Sequence, residues 1–138
     1  ESTVHPSDGR SFAIVTVDGD VHIGNCGIHR LDWKNSKAEI GIMIGEKTYW
    51  GKGYGTDALR VLLRVGFDEL NLNRLSLHVY AFNIRAIAAY EKVGFRHEGT
   101  YRESIFRHGR YHDELVMAIL AREYREPAEE RAVGENKT

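Results

Sequence analysis

The chain has few of the residues that mark several classes of protein. Cys26 is the only cysteine among 138 residues, so no internal disulfide can form, and a reducing, cytoplasmic compartment is expected. No apolar run approaches the length of a membrane span, and we expect no charged-then-apolar leader before the domain. The formal charge is −1 and Lys and Arg form no block, which argues against a nucleic-acid surface. The 7 histidines are scattered, without a His-Glu-x-x-His group, which argues against a metal site.

The remaining composition is that of one globular domain. Hydrophobic residues make up 42% of the chain and charged residues 28%, and the length allows one core but not two. We expect a single domain over residues 1–123. Residues 124–138 are charged and lack apolar periodicity, which predicts a disordered or loosely attached tail. Because the chain begins at Glu1 rather than at Met, we expect residues upstream of it to be missing.

The first third of the chain shows the alternation of an antiparallel sheet. A polar loop is expected up to Ser11, and strands are predicted over 12–17, 21–28 and 38–44. Asp18-Gly19-Asp20 is a hairpin turn between the first two strands. In the third strand the isoleucines share one face, and Glu39 lies on the opposite face.

The rest of the chain alternates helices and strands. Apolar residues at helical spacing predict a helix over about 54–70, and a strand follows at 75–81. This passage is long enough for a βαβ crossover between parallel strands. Asn83 caps a second helix and Gly94 ends it, and the last hairpin turns at His108-Gly109-Arg110 and closes with a strand at 115–120. The predicted fold is α+β, a mixed and mostly antiparallel sheet with helices on its faces.

The stretch Tyr49-Trp50-Gly51-Lys52-Gly53-Tyr54-Gly55-Thr56 joins the third strand to the first helix. Its alternating glycines allow a tight turn and a close approach of the backbone to a ligand. At a helix start they leave free N–H groups at the positive end of the helix dipole, which suits phosphate or another anion. The spacing fits neither a Walker loop nor a dinucleotide fingerprint. The glycines alone leave an ordinary glycine-rich turn open as the alternative, and Trp50 is expected to pack beside it.

A second motif lies downstream, Asn83-x-x-Ala86-x-x-x-Tyr90-Glu91-Lys92-Val93-Gly94-Phe95. Together and in this order, the two motifs resemble those of the GNAT superfamily of acetyl-CoA-dependent N-acetyltransferases. The likeness runs from about Phe12 to Leu120 and is greatest to the branch that holds ribosomal-protein N-terminal and spermidine acetyltransferases. It implies a GNAT-like fold with helices on both faces of the sheet. It also implies transfer of an acetyl group from acetyl-CoA to a primary amine by direct attack in a ternary complex.

The resemblance also implies where acetyl-CoA binds. Its pyrophosphate is held by the glycine loop, which assigns Gly51, Lys52, Gly53, Tyr54, Gly55 and Thr56 to the cofactor site. Its pantetheine arm pairs with Met43, Ile44 and Gly45 in a slot between two splayed parallel strands and is held by Asn83. Serine is common in the family at the position of Ala86, so a hydroxyl contact to CoA is absent there. The N–H of Ile44 is the candidate donor to the oxyanion.

Two catalytic residues are expected from the same resemblance. The family places its general-acid tyrosine at Tyr90, two helical turns after Asn83, and a phenol can protonate the departing thiolate. The alternative is a core tyrosine on an apolar helix face. Glu39 is the candidate acceptor of a proton from the amine, directly or through water, against the alternative of a solvated or salt-bridged glutamate. Weaker candidates for that proton acceptor are Glu98, Glu103, His97 and His112.

The sequence leaves the acceptor amine open. The first hypothesis is a protein N-terminal amine or a small amine. The second is a polyamine or an aminoglycoside, favoured if the carboxylates of the final hairpin converge on a pocket. An acidic, aromatic amine pocket is one interpretation of the hairpin and a solvated surface is the alternative for most of its residues, namely Tyr101, Glu103, Tyr111, Asp113 and Glu114. The third is a non-catalytic CoA-binding regulatory domain. No nucleic-acid or membrane partner is expected, and the resemblance allows a homodimer.

Overall fold

A computed structural model of the chain describes residues 2–5, 9–45 and 49–126. Its strands are β1 (Ser2–His5), β2 (Gly9–Val15), β3 (His22–Asp32), β4 (Lys37–Ile44), β5 (Arg74–Tyr80), β6 (Arg96–Arg107) and β7 (Arg110–Leu120). Its helices are α1 (Tyr54–Leu63), which continues as a π-helical segment (Arg64–Glu69), α2 (Ile84–Lys92) and α3 (Ala121–Arg125).

The described strands form one mixed, 7-stranded sheet in the order β1-β2-β3-β4-β5-β7-β6. Strands β4 and β5 pair in parallel, and the other neighbours pair antiparallel. The connection between β4 and β5 runs through α1, as a parallel pair requires. The mixed α+β fold, the antiparallel opening and the βαβ crossover predicted from the sequence are therefore confirmed.

The amino-terminal segment differs from the predicted polar loop. β1 pairs with β2 in register from Ser2 with Phe12 to His5 with Gly9. Pairing uses the backbone N–H and C=O groups, so a strand at the sheet edge forms without the apolar alternation that marks a core strand. The loop prediction is therefore wrong for β1 and for the start of β2. The part of the predicted loop at residues 6–8 lies outside the described residues.

The hydrophobic core lies on one face of the sheet. The pairing register sets buried side chains of neighbouring strands side by side, among them Ile28 with Ile40 and Leu75 with Ile119. Burial of each such side chain contributes roughly 2 kcal/mol. All three described helices pack on this core, α1 through Leu59 and Leu62, α2 through Ile87 and α3 through Tyr124. The second face carries no helix among the described residues, so this part of the chain has one of the two helical layers that the resemblance implies.

The helix predicted over 54–70 changes its winding part-way. It is α-helical to Leu63 and π-helical from Arg64 to Glu69. Gly66 lies in the π-helical segment, and a Cβ on it would be 2.7 Å from Cδ1 of Leu75. The missing side chain lets the helix lie close against β5. A π-helical turn is rare, and apolar spacing alone does not distinguish it from an α-helix.

The chain is still packed where the sequence predicts a loose tail. The ring centroid of Tyr124 is 5.0 Å from that of Phe67, and its hydroxyl donates to Asp68 (3.2 Å). Arg125 donates to the Phe67 carbonyl (3.2 Å). Tyr124 and Arg125 therefore belong to the folded unit, while residues 127–138 lie outside the described ranges.

None of the helices in the described ranges is long and apolar enough to cross a membrane.

Candidate active site

Strands β4 and β5 separate after a short parallel stretch. They pair at Lys37 with Arg74, Ala38 with Leu75 and Glu39 with Ser76. Both strands then continue, β4 to Ile44 and β5 to Tyr80, without further pairing to each other. Their facing backbone groups border an opening within the sheet.

A cleft of about 320 Å³ lies at this opening, between β4, α1 and α2. Most of the residues that the sequence assigns to the cofactor and to the general acid line it, namely Met43, Ile44, Gly51, Gly53, Gly55, Thr56, Asn83, Ala86 and Tyr90. Two motifs that are far apart in the sequence thus form one continuous surface.

The other assigned residues do not line this cleft. The N–H of Gly45 donates to the Ile23 carbonyl (3.0 Å) and so is used within the sheet. Lys52 is exposed in the glycine loop. The ring of Tyr54 packs edge-on against that of Tyr49, with the centroids 5.6 Å apart. Glu39 lies on the second face of the sheet.

The glycine loop ends at an open helix terminus. Gly53 has a φ of 89°, a left-handed conformation that glycine adopts without strain, and α1 begins at the next residue with no side-chain cap. Its first helical bond is that of the Asp57 N–H to the Gly53 carbonyl (2.9 Å), so the preceding N–H groups have no helical acceptor. A Cβ on Gly53 would meet no atom within 4 Å. This terminus therefore has the donors and the space to fit a pyrophosphate.

The end of β4 presents its backbone to the cleft. The N–H of Gly45 points to β3, and N–H directions alternate along a strand, so the N–H of Ile44 points to the cleft side. Trp50 donates its indole N–H to the Ile44 carbonyl (2.8 Å). Trp50, expected only to pack, therefore shapes the cleft wall through a hydrogen bond.

Helix α2 places Asn83 and Tyr90 along the cleft. The Asn83 side chain accepts the N–H of Ala86 (3.2 Å), which confirms it as the cap of α2. The ring of Tyr90 packs edge-on against Phe95, with the centroids 5.9 Å apart, and burial raises the pKa of Tyr90. Its hydroxyl has no hydrogen-bond partner among the described residues, yet it is not sealed from solvent. Tyr90 therefore packs on the core and also lines the cleft.

Arg85 is a residue of the cleft that the sequence motifs did not single out. Its guanidinium lies 5.8 Å from the Trp50 ring centroid, and Nη1 would be 3.8 Å from a Cβ on Gly51. A positive charge is therefore held beside the glycine loop. A cation in the first turn of a helix opposes the helix dipole, and this was the signal available in the sequence.

Glu39 lies at the last paired position before β4 and β5 separate. Its carboxylate is 3.5 Å from Nε2 of His78 and 3.5 Å from Nε of Arg30. A hollow of about 770 Å³ extends over β2, β3 and β4, and it shares Ile42 and Met43 with the cleft. The region where the strands separate is thus bordered by a cleft on the helix side and a hollow over the strands.

A family model of the acetyltransferase (GNAT) domain matches residues 2–96. The chain belongs to the GNAT acetyltransferase family.

Relatives of this GNAT chain include members of both branches named by the resemblance. The putative ribosomal N-acetyltransferase YdaF of Bacillus subtilis is 39% identical over 101 residues, which cover 73% of this chain and 55% of that protein. The spermidine N(1)-acetyltransferase of Escherichia coli is 33% identical over 121 residues, which cover 88% of this chain and 63% of that protein. The chain therefore spans less than two thirds of the length of these curated relatives.

A solved structure shows the same fold. The spermidine N-acetyltransferase from Vibrio cholerae, in complex with CoA and spermine, matches with a TM-score of 0.80 at 31% identity. The match covers 89% of this chain and 72% of that chain. The GNAT fold predicted from the sequence is therefore confirmed.

In this GNAT domain the weaker candidates for the proton acceptor contact other groups or solvent. Glu98 accepts two hydrogen bonds from Arg74 (2.9 and 2.7 Å), and this guanidinium holds the pKa of Glu98 below its usual value. His97 and His112 each place a ring nitrogen on a backbone carbonyl of their own hairpin. Glu103 is exposed.

The β6–β7 hairpin of the GNAT domain does not gather its polar residues into one pocket. Asp113 accepts the N–H of Glu103 (2.8 Å), and Tyr111 packs on Phe106 near the hairpin turn. Tyr101 and Glu114 instead reach toward Glu39 through contacts with His78. The hairpin thus contributes two side chains to the Glu39 side of the sheet.

Proposed function

We propose that this chain transfers an acetyl group from acetyl-CoA to a primary amine by direct attack in a ternary complex. The observation that carries the proposal is the opening between β4 and β5, where the cleft and the hollow share Ile42 and Met43. A cofactor in the cleft and an amine approaching from the Glu39 side can meet there without an intermediate on the protein.

The cleft has a donor for each part of acetyl-CoA. The free N–H groups at the start of α1 take the pyrophosphate, and Arg85 adds a positive charge beside them. The end of β4 and Asn83 hold the pantetheine arm. The N–H of Ile44 faces the carbonyl oxygen of the acetyl group and stabilises the negative charge that develops on it.

The reaction needs a neutral amine and a protonated leaving group. A lysine-like amine is neutral in only about one part in 10³ at pH 7, so Glu39 takes a proton from it, directly or through water. The nitrogen then attacks the thioester carbon, the C–N bond forms and the C–S bond breaks. Of the two protons that the ammonium loses, one ends on sulfur by way of Tyr90 and the other leaves to solvent. Burial raises the pKa of Tyr90, which keeps the phenol protonated for this step.

Cys26 supports direct attack over an acyl-cysteine route. It is the only cysteine of the chain, it is buried, and burial raises the pKa of its thiol to about 11. A thiolate is the nucleophilic form of cysteine, and little of it exists at neutral pH with such a pKa.

The acceptor is a protein N-terminal amine or a small amine, since a relative named for ribosomal acetylation and relatives named for spermidine match to similar extents. A polyamine is the second candidate, favoured by the carboxylates of Glu39 and Glu114 on the side from which the amine approaches. A CoA-binding domain without turnover is the remaining alternative.

Thiol release from acetyl-CoA across an amine panel tests the proposal. The panel holds Ala- and Ser-starting peptides, spermidine, an aminoglycoside and free amino acids. We expect acceptor-dependent release, and in Tyr90→Phe we expect kcat to fall by about 10² or more because the general acid is removed. Tyr124→Phe is the matched control, since its hydroxyl binds Asp68 away from the cleft. Tight acetyl-CoA binding without release from any amine would instead favour the non-catalytic alternative.

A further inference from the structure

His78 stands between two carboxylates on the second face of the sheet. Its Nε2 is 3.5 Å from Oε1 of Glu39 on β4, and its Nδ1 is 4.0 Å from Oε2 of Glu114 on β7. The exposed fractions of the side chains are 32% for His78, 25% for Glu39 and 19% for Glu114. The three side chains therefore form a partly covered polar cluster that spans three strands.

The carboxylate of Glu39 depends on side-chain contacts for its orientation. Glu39 is the last residue of β4 that pairs with β5, so the residues of β4 after it have no partner on that strand. Arg30 contacts it at 3.5 Å, but the Arg30 side chain is 78% exposed, and an exposed ion pair restrains a carboxylate weakly. His29 faces Glu39 in the β3–β4 register, and among the described residues no hydrogen bond joins their side chains.

His78 itself is held from two sides. Glu114 lies at one ring nitrogen, and the ring of Tyr101 packs against the imidazole with the centroids 5.3 Å apart. Its other ring nitrogen contacts the Glu39 carboxylate (3.5 Å). A side chain fixed in this way can fix the group that it contacts, because its own rotamer is restricted.

We propose that His78 is a positioning residue that turns the carboxylate of Glu39 toward the opening between β4 and β5, with Glu114 and Tyr101 as its supports. The inference rests on the proposed function, in which Glu39 takes the proton of the acceptor amine. His78 contributes a polar contact of 3.5 Å to the Glu39 carboxylate and takes part in no bond that forms or breaks. Its effect is therefore on kcat and not on the binding of acetyl-CoA.

Steady-state kinetics with the best acceptor of the panel tests the positioning role. In His78→Ala we expect kcat to fall about tenfold or more, with KM for acetyl-CoA within about twofold of wild type. In His78→Gln we expect most of kcat to return, because the Gln amide places a donor near the position of Nε2. His22→Ala is the control, since His22 is an exposed histidine whose ring nitrogen contacts the Gly24 carbonyl instead. Wild-type kcat in His78→Ala, or no recovery in His78→Gln with the fold intact by circular dichroism, would overturn the role.

Nuclear magnetic resonance of the His78 imidazole tests the contacts of His78 with Glu39 and Glu114 independently of turnover. We expect Glu39→Gln and Glu114→Gln each to shift the His78 ring resonances, and Glu103→Gln, an exposed carboxylate of the same hairpin, to leave them unchanged. Unchanged resonances in Glu39→Gln would refute the contact between His78 and Glu39 even if the enzyme is active. Shifted resonances in a chain that acetylates no amine would support the contacts of His78 with the two carboxylates and count against the proposed function.

Discussion

Arg85 lies in the cleft without belonging to either sequence motif. It sits two residues after Asn83, at a position that the motif leaves free, and its guanidinium lies over Trp50 beside the glycine loop. Such a cation interacts with the phosphates of a cofactor and not with the reacting carbonyl. Its contribution is therefore expected in the ground state and the transition state alike.

We expect Arg85→Ala to raise KM for acetyl-CoA about tenfold, because a charge-assisted contact contributes roughly 1.5 kcal/mol. The value of kcat should stay close to wild type, since the interaction is uniform along the reaction. Initial rates at varied acetyl-CoA measure both constants. Arg60→Ala is the matched control, because Arg60 is an exposed arginine of α1 that lines a separate hollow with Lys92 and Tyr124. An equal rise of KM in both variants would show a general effect of charge and no site at Arg85.

At the scale of the elements, two turns hold a glycine in the left-handed region for different purposes. Gly53, with a φ of 89°, precedes α1 at the cleft. Gly109, with a φ of 75°, forms the turn between β6 and β7. Neither would bring a Cβ within 4 Å of another atom, so a substitution meets backbone strain and no collision.

We expect Gly53→Ala and Gly109→Ala to lower the free energy of unfolding by similar amounts, about 1–2 kcal/mol, because both place a Cβ on a left-handed residue. Only Gly53→Ala should also raise KM for acetyl-CoA, since only its methyl group enters the space beside the free N–H groups of α1. Chemical denaturation gives the first quantity and initial rates give the second. A KM increase in Gly109→Ala as well would mean that the loss of stability, and not a change beside the free N–H groups of α1, weakens acetyl-CoA binding.

At the scale of the whole molecule, Arg74 and Glu98 join the start of β5 to β6 across β7. The two hydrogen bonds between them measure 2.9 and 2.7 Å. The guanidinium holds the pKa of Glu98 below its usual value, so folding stabilises the charged form of the carboxyl. The side chains are 31% and 41% exposed, and solvent screening keeps the contribution of the pair below about 1 kcal/mol.

The pH dependence of this pair follows from the direction of the shift. A carboxyl whose pKa is lower in the folded state stabilises above its unfolded pKa and loses that contribution as the pH falls through the folded pKa. We therefore expect Glu98→Gln to lower the melting temperature slightly at pH 7, with the difference from wild type vanishing in strong acid. Glu91→Gln, an exposed glutamate on α2, should leave the melting temperature unchanged at both pH values. Calorimetry at pH 7 and in acid makes the comparison.

Much of the fold follows from local patterns in the sequence. Several patterns depend only on neighbours within a few positions, so they can be found without a structure. They are the alternation in β4, the apolar spacing in α1 and the capping residues Asn83 and Gly94. The same holds for the glycine loop and for the spacing from Asn83 to Tyr90. β1 could not be found in this way, because an edge strand is defined by its backbone partner and not by its side chains.

The arrangement of the site required the tertiary structure. The sequence by itself determined the residue types that the site offers and the elements that carry them, since helix caps, strand alternation and glycine turns are set by local geometry. Three features of the site involve residues that are far apart in the chain. They are the separation of β4 from β5, the placement of Arg85 beside the glycine loop and the contact of His78 with Glu39. Such contacts depend on strand register and on packing across the sheet, because a shift by one residue would move each side chain to the other face.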